Sequence, residues 1–407
     1  FLFPKILFFV GAIVGNVIAS LFGQKLSPKY FVFIATVSYF VNGILLILQT
    51  DFATIMFLAN FFSGFGYGLA LMIIYFYAAE IATKKFRGKL IYTLTLAQIF
   101  GCLAFTFLNI SSLRSKDRVL QDVGITTISL SIAACFLAYK RMIDSPLSIL
   151  RANVNDPRAF TNLLRARNEH IQSMRAMKDL NDFKEMANEC EKMNGSPFSD
   201  NNCKVMLAVL MARLITVLHF NYYLNLFKNG LVFELLFSST TLNLHHYTAP
   251  LLLMLLKFCG AFAYLFMVDR IKRKMCFVLS SGIVGLLLIV AGIVISIDDV
   301  PAILLIFAEF ASTFGMISAG DIILCESFYV KRRNLSAGII LIAENLLQIL
   351  TIICAKLFVQ WAHWHATRIN IITSGCFVFM MIRFVLISFP DTRGKSLKEA
   401  TRLVNSS

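Results

Sequence analysis

The sequence predicts an all-α membrane protein whose helices cross a lipid bilayer about eleven times. Three observations carry that prediction. Hydrophobic residues make up 58% of the 407 and charged residues only 15%, whereas a soluble domain carries roughly 25% charged residues. Apolar runs recur at the length, ~20 residues, that a helix needs to cross a hydrocarbon core about 30 Å thick. Basic residues concentrate on alternate connections between those runs.

The runs fall in order at roughly 6–23, 30–48, 52–76, 89–109 and 122–140, then at 204–227, 248–268, 275–297, 301–325, 336–357 and 367–389. Barrel strands would instead show alternating segments of ~10 residues. The basic connections hold Lys25 and Lys29; Lys84, Lys85, Arg87 and Lys89; Arg270, Lys272, Arg273 and Lys274; and Lys331, Arg332 and Arg333. A tail adds Arg393, Lys395, Lys398 and Arg402, while the opposite connections carry little beyond Arg114, Lys116 and Arg118. That asymmetry is the positive-inside pattern. It predicts a multi-pass protein, expected in the plasma membrane, with residues 147–203 and the C-terminus in the cytosol. The net charge of +15 then reads as topology and inner-leaflet attraction, and nucleic acid is not an expected partner.

Residues 147–203 form the one long polar stretch, in which Phe160, Leu163 and Leu164, then Met174, Met177 and Leu180, recur at helical spacing. Short amphipathic helices are predicted there, with a partly disordered connector as the alternative. The chain thus divides into a helical bundle at 1–146, a cytosolic linker at 147–203, a six-helix bundle at 204–389 and a tail at 390–407. No P-loop, HExxH or GxSxG motif occurs. His245, His246, His363 and His365 fall in predicted outer loops at no metal spacing, and no two cysteines form a CxxC pair. No enzyme activity, catalytic residue, metal or cofactor is expected.

Glu80-Ile-Ala-Thr-Lys-Lys-Phe-Arg87 in the first half is echoed by Glu326-Ser-Phe-Tyr-Val-Lys-Arg-Arg333 in the second, each where a membrane run gives way to a basic turn. Repeated halves about a central linker mark carriers whose two bundles rock about a midplane site. Further motifs follow in order: Gly11 and Gly15; Gly64-Phe-Gly66-Tyr-Gly68; Tyr77-Ala-Ala-Glu80; Arg87-Gly88; Asp144-Ser145-Pro146; Val268-Asp269-Arg270-Ile-Lys-Arg273-Lys274; and Pro390-Asp391-Thr392-Arg393-Gly394-Lys395-Ser396-Leu397. Together they resemble the sugar porter family of the major facilitator superfamily almost end to end. The resemblance implies that superfamily's two-bundle fold, with the family's first membrane helix absent from this sequence, which begins with Phe rather than Met. It also implies a secondary-active or facilitative transporter of a small polar solute, a sugar or a charged molecule, by alternating access. Protons are a candidate coupling ion. A non-transporting receptor or scaffold with a degenerate site is the alternative.

The resemblance assigns Glu80, Arg87, Asp269, Arg270, Arg273, Glu326 and Arg333 to a conformational latch on the cytosolic face. Gln24, Ser27 and Pro28 stand where the family's first motif has Asp, Gly and Arg, and Asn60 and Thr83 replace an Arg and a Pro. The first-half latch therefore reads as weakened and the second-half one as nearly intact. A position near the lipid headgroups would make each pair worth about 1–3 kcal/mol.

The family's hexose-binding amides are largely missing. Its seventh-helix register reads Ala212 to Leu218 here, and Thr95, with Gln98 a turn later, takes the fifth-helix glutamine position. Ile317 to Asp321 replace a proline-rich motif, and Glu344 and Gln348 replace an asparagine pair. Charge stands in their place. Arg213, Lys257, Glu309, Asp321 and Glu344 all fall within predicted spans, where a lone charge costs at least ~2.5 kcal/mol. Counting depth matches Lys257 with Glu309 and Arg213 with Glu344, Asp321 lying nearer the cytosol. The substrate-binding candidates are Thr95, Gln98, Arg213, Thr216, Lys257, Asp321, Glu344, Asn345 and Gln348. Structural ion pairing between helices is the competing reading of the charges.

Overall fold

The computed structural model describes residues 3–48, 53–111, 116–167, 174–192, 198, 200–219, 245–295, 300–361, 364–388 and 391–406. Regular structure among them is entirely helical. The first half holds α1 (Phe3–Phe22), α2 (Pro28–Ile47), α3 (Ala53–Ile81), α4 (Arg87–Ser111) and α5 (Lys116–Arg141). Short helices α6 (Pro146–Ala152), α7 (Arg158–Arg167) and α8 (Met174–Lys192) follow. The second half holds α9 (Asp200–His219), α10 (His245–Met267), α11 (Arg273–Ile293), α12 (Val300–Ala311), a π-helical turn (Ser312–Met316), α13 (Ile317–Glu326), α14 (Val330–Trp361) and α15 (Trp364–Ser388). Beyond them lies α16 (Leu397–Ser406).

Ten of the described spans are long and apolar enough to cross a membrane. The predicted run 204–227 begins within α9 and continues past the described residues. Residues 220–227, Arg114, His363 and Pro390 lie outside the described residues. Two boundaries differ from the sequence reading. The run 301–325 is interrupted by the π turn, where the Ser312 and Thr313 hydroxyls donate back to the Glu309 carbonyl at 2.7 and 3.2 Å. Helix α14 begins at Val330, so Lys331, Arg332 and Arg333 lie on its first turn rather than in a loop. His245 and His246 likewise open α10 instead of lying in a connection.

Within the first half, α3 packs on α1 and α2, and α2 packs on α5. The second half mirrors this, with α11 against α12 and α15, and α15 against α9. The halves meet where α1 lies on α14 and where α4 lies on α10. The glycines of α1 and α3 work inside one half, not between halves. A Cβ on Gly64 would sit 1.8 Å from the Phe8 carbonyl oxygen, and one on Gly11 would sit 2.2 Å from that of Phe61. These helices therefore touch backbone to backbone, as small residues allow in lipid. Across the halves, one helix-on-helix approach is Gly338 of α14 over Ser20 of α1, where an added Cβ would lie 2.5 Å from the Ser20 Cβ. Gly64→Ala should therefore force α1 and α3 apart and lower stability by about 1–3 kcal/mol, the usual cost of overpacking. Gly101→Ala, with open space around it, is the control and should be neutral. Thermal unfolding in detergent separates the two.

The linker helices form their own small core. Leu147, Leu150, Leu163, Leu180 and Phe183 pack with Val330 and with Leu397 of α16. Met174 and Met177, expected inside, are exposed. The buried stripe of α8 is instead Ala176, Leu180, Phe183, Met186 and Ala187, a helical phase that the polar surroundings disguise. Lys398 reaches Glu185 and Arg402 reaches Glu189, fastening α16 to α8.

Candidate functional site

The ends of α3, α4, α11, α13 and α14 that meet the linker carry a charge cluster. Arg333 pairs with Glu80 across the halves, and the Ser145 hydroxyl donates to the second Glu80 oxygen. The Arg333 guanidinium also lies 4.5 Å from the Phe76 ring centroid. Glu326 pairs with Arg273 and faces Arg87 of the other half at 3.6 Å. The tail completes the ring: Arg87 donates to the Lys395 carbonyl and Arg273 to the Thr392 hydroxyl, both at 3.2 Å. Arg393 donates to the Arg270 carbonyl.

Helix dipoles do not favour this arrangement. Both glutamates stand at helix C-termini and the arginines at N-termini, opposite to what the macrodipole prefers. Ion pairing stabilises them instead, between the halves for Glu80–Arg333 and Glu326–Arg87 and within the second half for Glu326–Arg273. Each of Glu80, Arg87, Arg273, Glu326 and Arg333 is 4% exposed or less, so the expected wet headgroup setting does not hold. Charges buried to that degree make one-sided removal costly, about 3–5 kcal/mol.

The first-half glutamate, expected to be the weaker, is fully engaged. The Arg270 side chain is exposed and contributes only its carbonyl. Asp269 makes no ion pair among the described residues. It sits over the start of α4 instead, where a Cβ on Gly88 would meet its Oδ1 at 2.4 Å. Burial raises its carboxyl above the ordinary value, with Arg273 and Lys89 opposing the rise. Gln24 holds the matching place at the start of α14, but its amide donates to the Val330 and Lys331 carbonyls at 3.3 and 2.6 Å. An amide thus bridges the halves where a carboxylate would have met carbonyl oxygens unfavourably.

A second cluster lies deeper. Arg213 of α9 pairs with Asp321 of α13 and, through Nε at 2.8 Å, with Glu344 of α14. The other Asp321 oxygen accepts from the Thr95 hydroxyl at 2.7 Å and from the Tyr75 hydroxyl at 3.2 Å, both in the first half. Tyr75 and Thr95 also touch each other, at 2.9 Å. Asp321 therefore joins the two halves at the core of the molecule. Tyr67, two helical turns before Tyr75, lies within electrostatic range of all three charges. Lys257 and Glu309 form a separate pair at 3.1 Å, immediately before the π turn.

With the geometry in view, comparison with known proteins places the chain. The profile of the family described as "Sugar (and other) transporter" matches residues 6–404. The chain belongs to this family. Its members are transporters, not enzymes. The fold is similar to that of the proton:xylose symporter XylE bound to 6-bromo-6-deoxy-D-glucose, with TM-score 0.83, 18% identity, and 99% of this chain and 88% of that one covered. An inward-open structure of the xylose transporter XylE from E. coli matches at TM-score 0.66 and 16% identity over 99% and 88%. The E. coli fucose:proton symporter FucP matches at 0.60 and 10% over 94% and 90%. A search of curated proteins finds no match. This is a multi-pass membrane protein of the major facilitator fold, the architecture of alternating access.

For a sugar transporter family member, the central site is unusual in its residues. Arg213, Asp321, Glu344 and Thr95 come together as one group. Thr216 does not join it; its hydroxyl donates to the Arg213 carbonyl at 2.6 Å. Asn345 bonds back to the Leu341 carbonyl at 2.8 Å, and the Gln348 carbonyl takes the Thr351 hydroxyl at 2.8 Å. Gln98, about one turn past Thr95, is exposed and does not join the group. Lys257 belongs to its own pair. Sequence reading missed Tyr75, and it quoted Tyr67, Ser145 and the tail's Thr392 within motifs without giving them a role in either cluster. The tyrosines look like ordinary membrane aromatics until the second half is packed against them.

Proposed function

We propose that this family member carries a small polar solute across the plasma membrane by alternating access. Its solute site is the Arg213–Asp321–Glu344 group with Thr95 and Tyr75. The latch is the ring of Glu80, Arg87, Arg273, Glu326 and Arg333. The observation that carries this reading is that Asp321 accepts hydrogen bonds from one half while pairing with Arg213 of the other. A solute displacing either contact would be felt by both halves at once. The lower match to the inward-open XylE structure than to the sugar-bound one supports a form closed on the linker face. Loss of the neutral amides favours a second reading, a receptor or scaffold that no longer transports. Counterflow in proteoliposomes decides between them. A carrier exchanges internal unlabelled for external labelled solute without a driving force, and a receptor does not. A driving-force dependence on a proton gradient would make the transport secondary-active rather than facilitative.

The linker face is assigned to the cytosol, and residues 1–146 and 204–389 to the two moving bundles. Cys190 and Cys203 should then resist an impermeant thiol reagent on intact cells and react after permeabilisation. Labelling on intact cells would invert the orientation.

A further inference from the structure

We infer that the central site takes a cationic solute, an organic ammonium, with Glu344 as its counter-ion; this rests on the solute site proposed above. The charges at the site do not balance. Among the described residues, Arg213 is the one base in ion-pair contact with Asp321 or Glu344. One positive charge therefore faces two negative ones. Lys257 instead faces Glu309, at 3.1 Å. A net negative charge at membrane depth demands a positive partner.

The two carboxylates are not equivalent. Asp321 is saturated by Arg213, Thr95 and Tyr75, and its side chain is 7% exposed. Glu344 receives only Arg213 Nε, on Oε2, and its side chain is 20% exposed. Its other oxygen accepts no hydrogen bond from the described residues. Asp321 is thus the structural partner of the arginine, and Glu344 is the one with capacity left.

An open carboxylate in a buried site is the chemistry that pairs with an ammonium group by charge. A hexose, with many hydroxyls and no charge, has no use for it. A proton on Glu344 would balance the same charge, and the test separates the two.

The full chain purified in detergent is exposed to choline and to 3,3-dimethylbutan-1-ol, its neutral isostere. Binding is read as thermal stabilisation. Choline should bind at least about tenfold more tightly, the gain expected of one desolvated charge contact. Glu344→Gln should abolish that preference while remaining monodisperse, since Arg213–Asp321 is left in place. Equal effects of the two probes overturn the inference. So does indifference to choline accompanied by a Glu344→Gln protein that behaves like the wild type held at low pH, because the balancing charge is then a proton. Binding here is independent of transport. A protein that prefers choline yet shows no counterflow keeps this inference and loses the carrier reading; one that exchanges a neutral hexose and ignores choline does the reverse.

Discussion

Arg213→Leu should destabilise the protein by about 3–5 kcal/mol, because it leaves two carboxylates buried without their cation. Asp321 and Glu344 both face that one guanidinium, so the loss is shared by two ion pairs. A large fall in the thermal midpoint in detergent, with poor recovery of monodisperse protein, is the expected result. Neutralising the partners as well, in Arg213→Leu with Asp321→Asn and Glu344→Gln, should return most of the stability, since an uncharged core is often as stable as a buried ion pair. Solute binding should not return with it. If Arg213→Leu alone leaves the midpoint unchanged, the three charges are solvated and do not form the site.

Breaking the latch should move populations instead. Glu80→Gln removes the carboxylate that Arg333 meets across the halves. The closed linker face then holds a buried arginine without its partner, whereas an open face would hydrate it. A bias of about 3 kcal/mol corresponds to roughly a hundredfold change in the ratio of the two states. Spin labels at the exposed Lys25 and Lys272 should report one short distance in the wild type and an added longer one in the variant. The exchanged pair, Glu80→Arg with Arg333→Glu, should restore the short distance. A distance distribution that Glu80→Gln leaves unaltered would make the cluster a fixed brace.

How much of this could be read from sequence follows the physics of each feature. Length and hydropathy suffice for the spans, because a bilayer imposes both. They do not reveal the π turn at Ser312–Met316, which depends on side chains bonding back to Glu309. Depth counting puts Lys257 level with Glu309 and Arg213 level with Glu344, and those residues are in contact. It sets Asp321 apart, yet Arg213 reaches it too, since a long side chain spans a helical turn. Gln98 shows the opposite limit: residue type suggested a site, yet its side chain is exposed and stays out of the charged group. The motif glutamates and arginines were visible as repeats within each half. Their partners exchange between halves, Glu80 with Arg333 and Glu326 with Arg87, and only the assembled fold supplies that pairing. The disguised stripe of α8 and the role of Thr392 have the same origin.

The central claim is that one charged site between the halves is reached from alternate sides. A cysteine placed at position 95, in a background lacking the nine native cysteines, tests it most directly in vesicles of known orientation. Thr95 is 1% exposed and bonded to Asp321. With the linker face closed, an impermeant thiol reagent should reach position 95 only from the opposite side; adding Glu80→Gln should make it reactive from the linker side. Equal reactivity from both sides, or none from either in both backgrounds, would contradict the account.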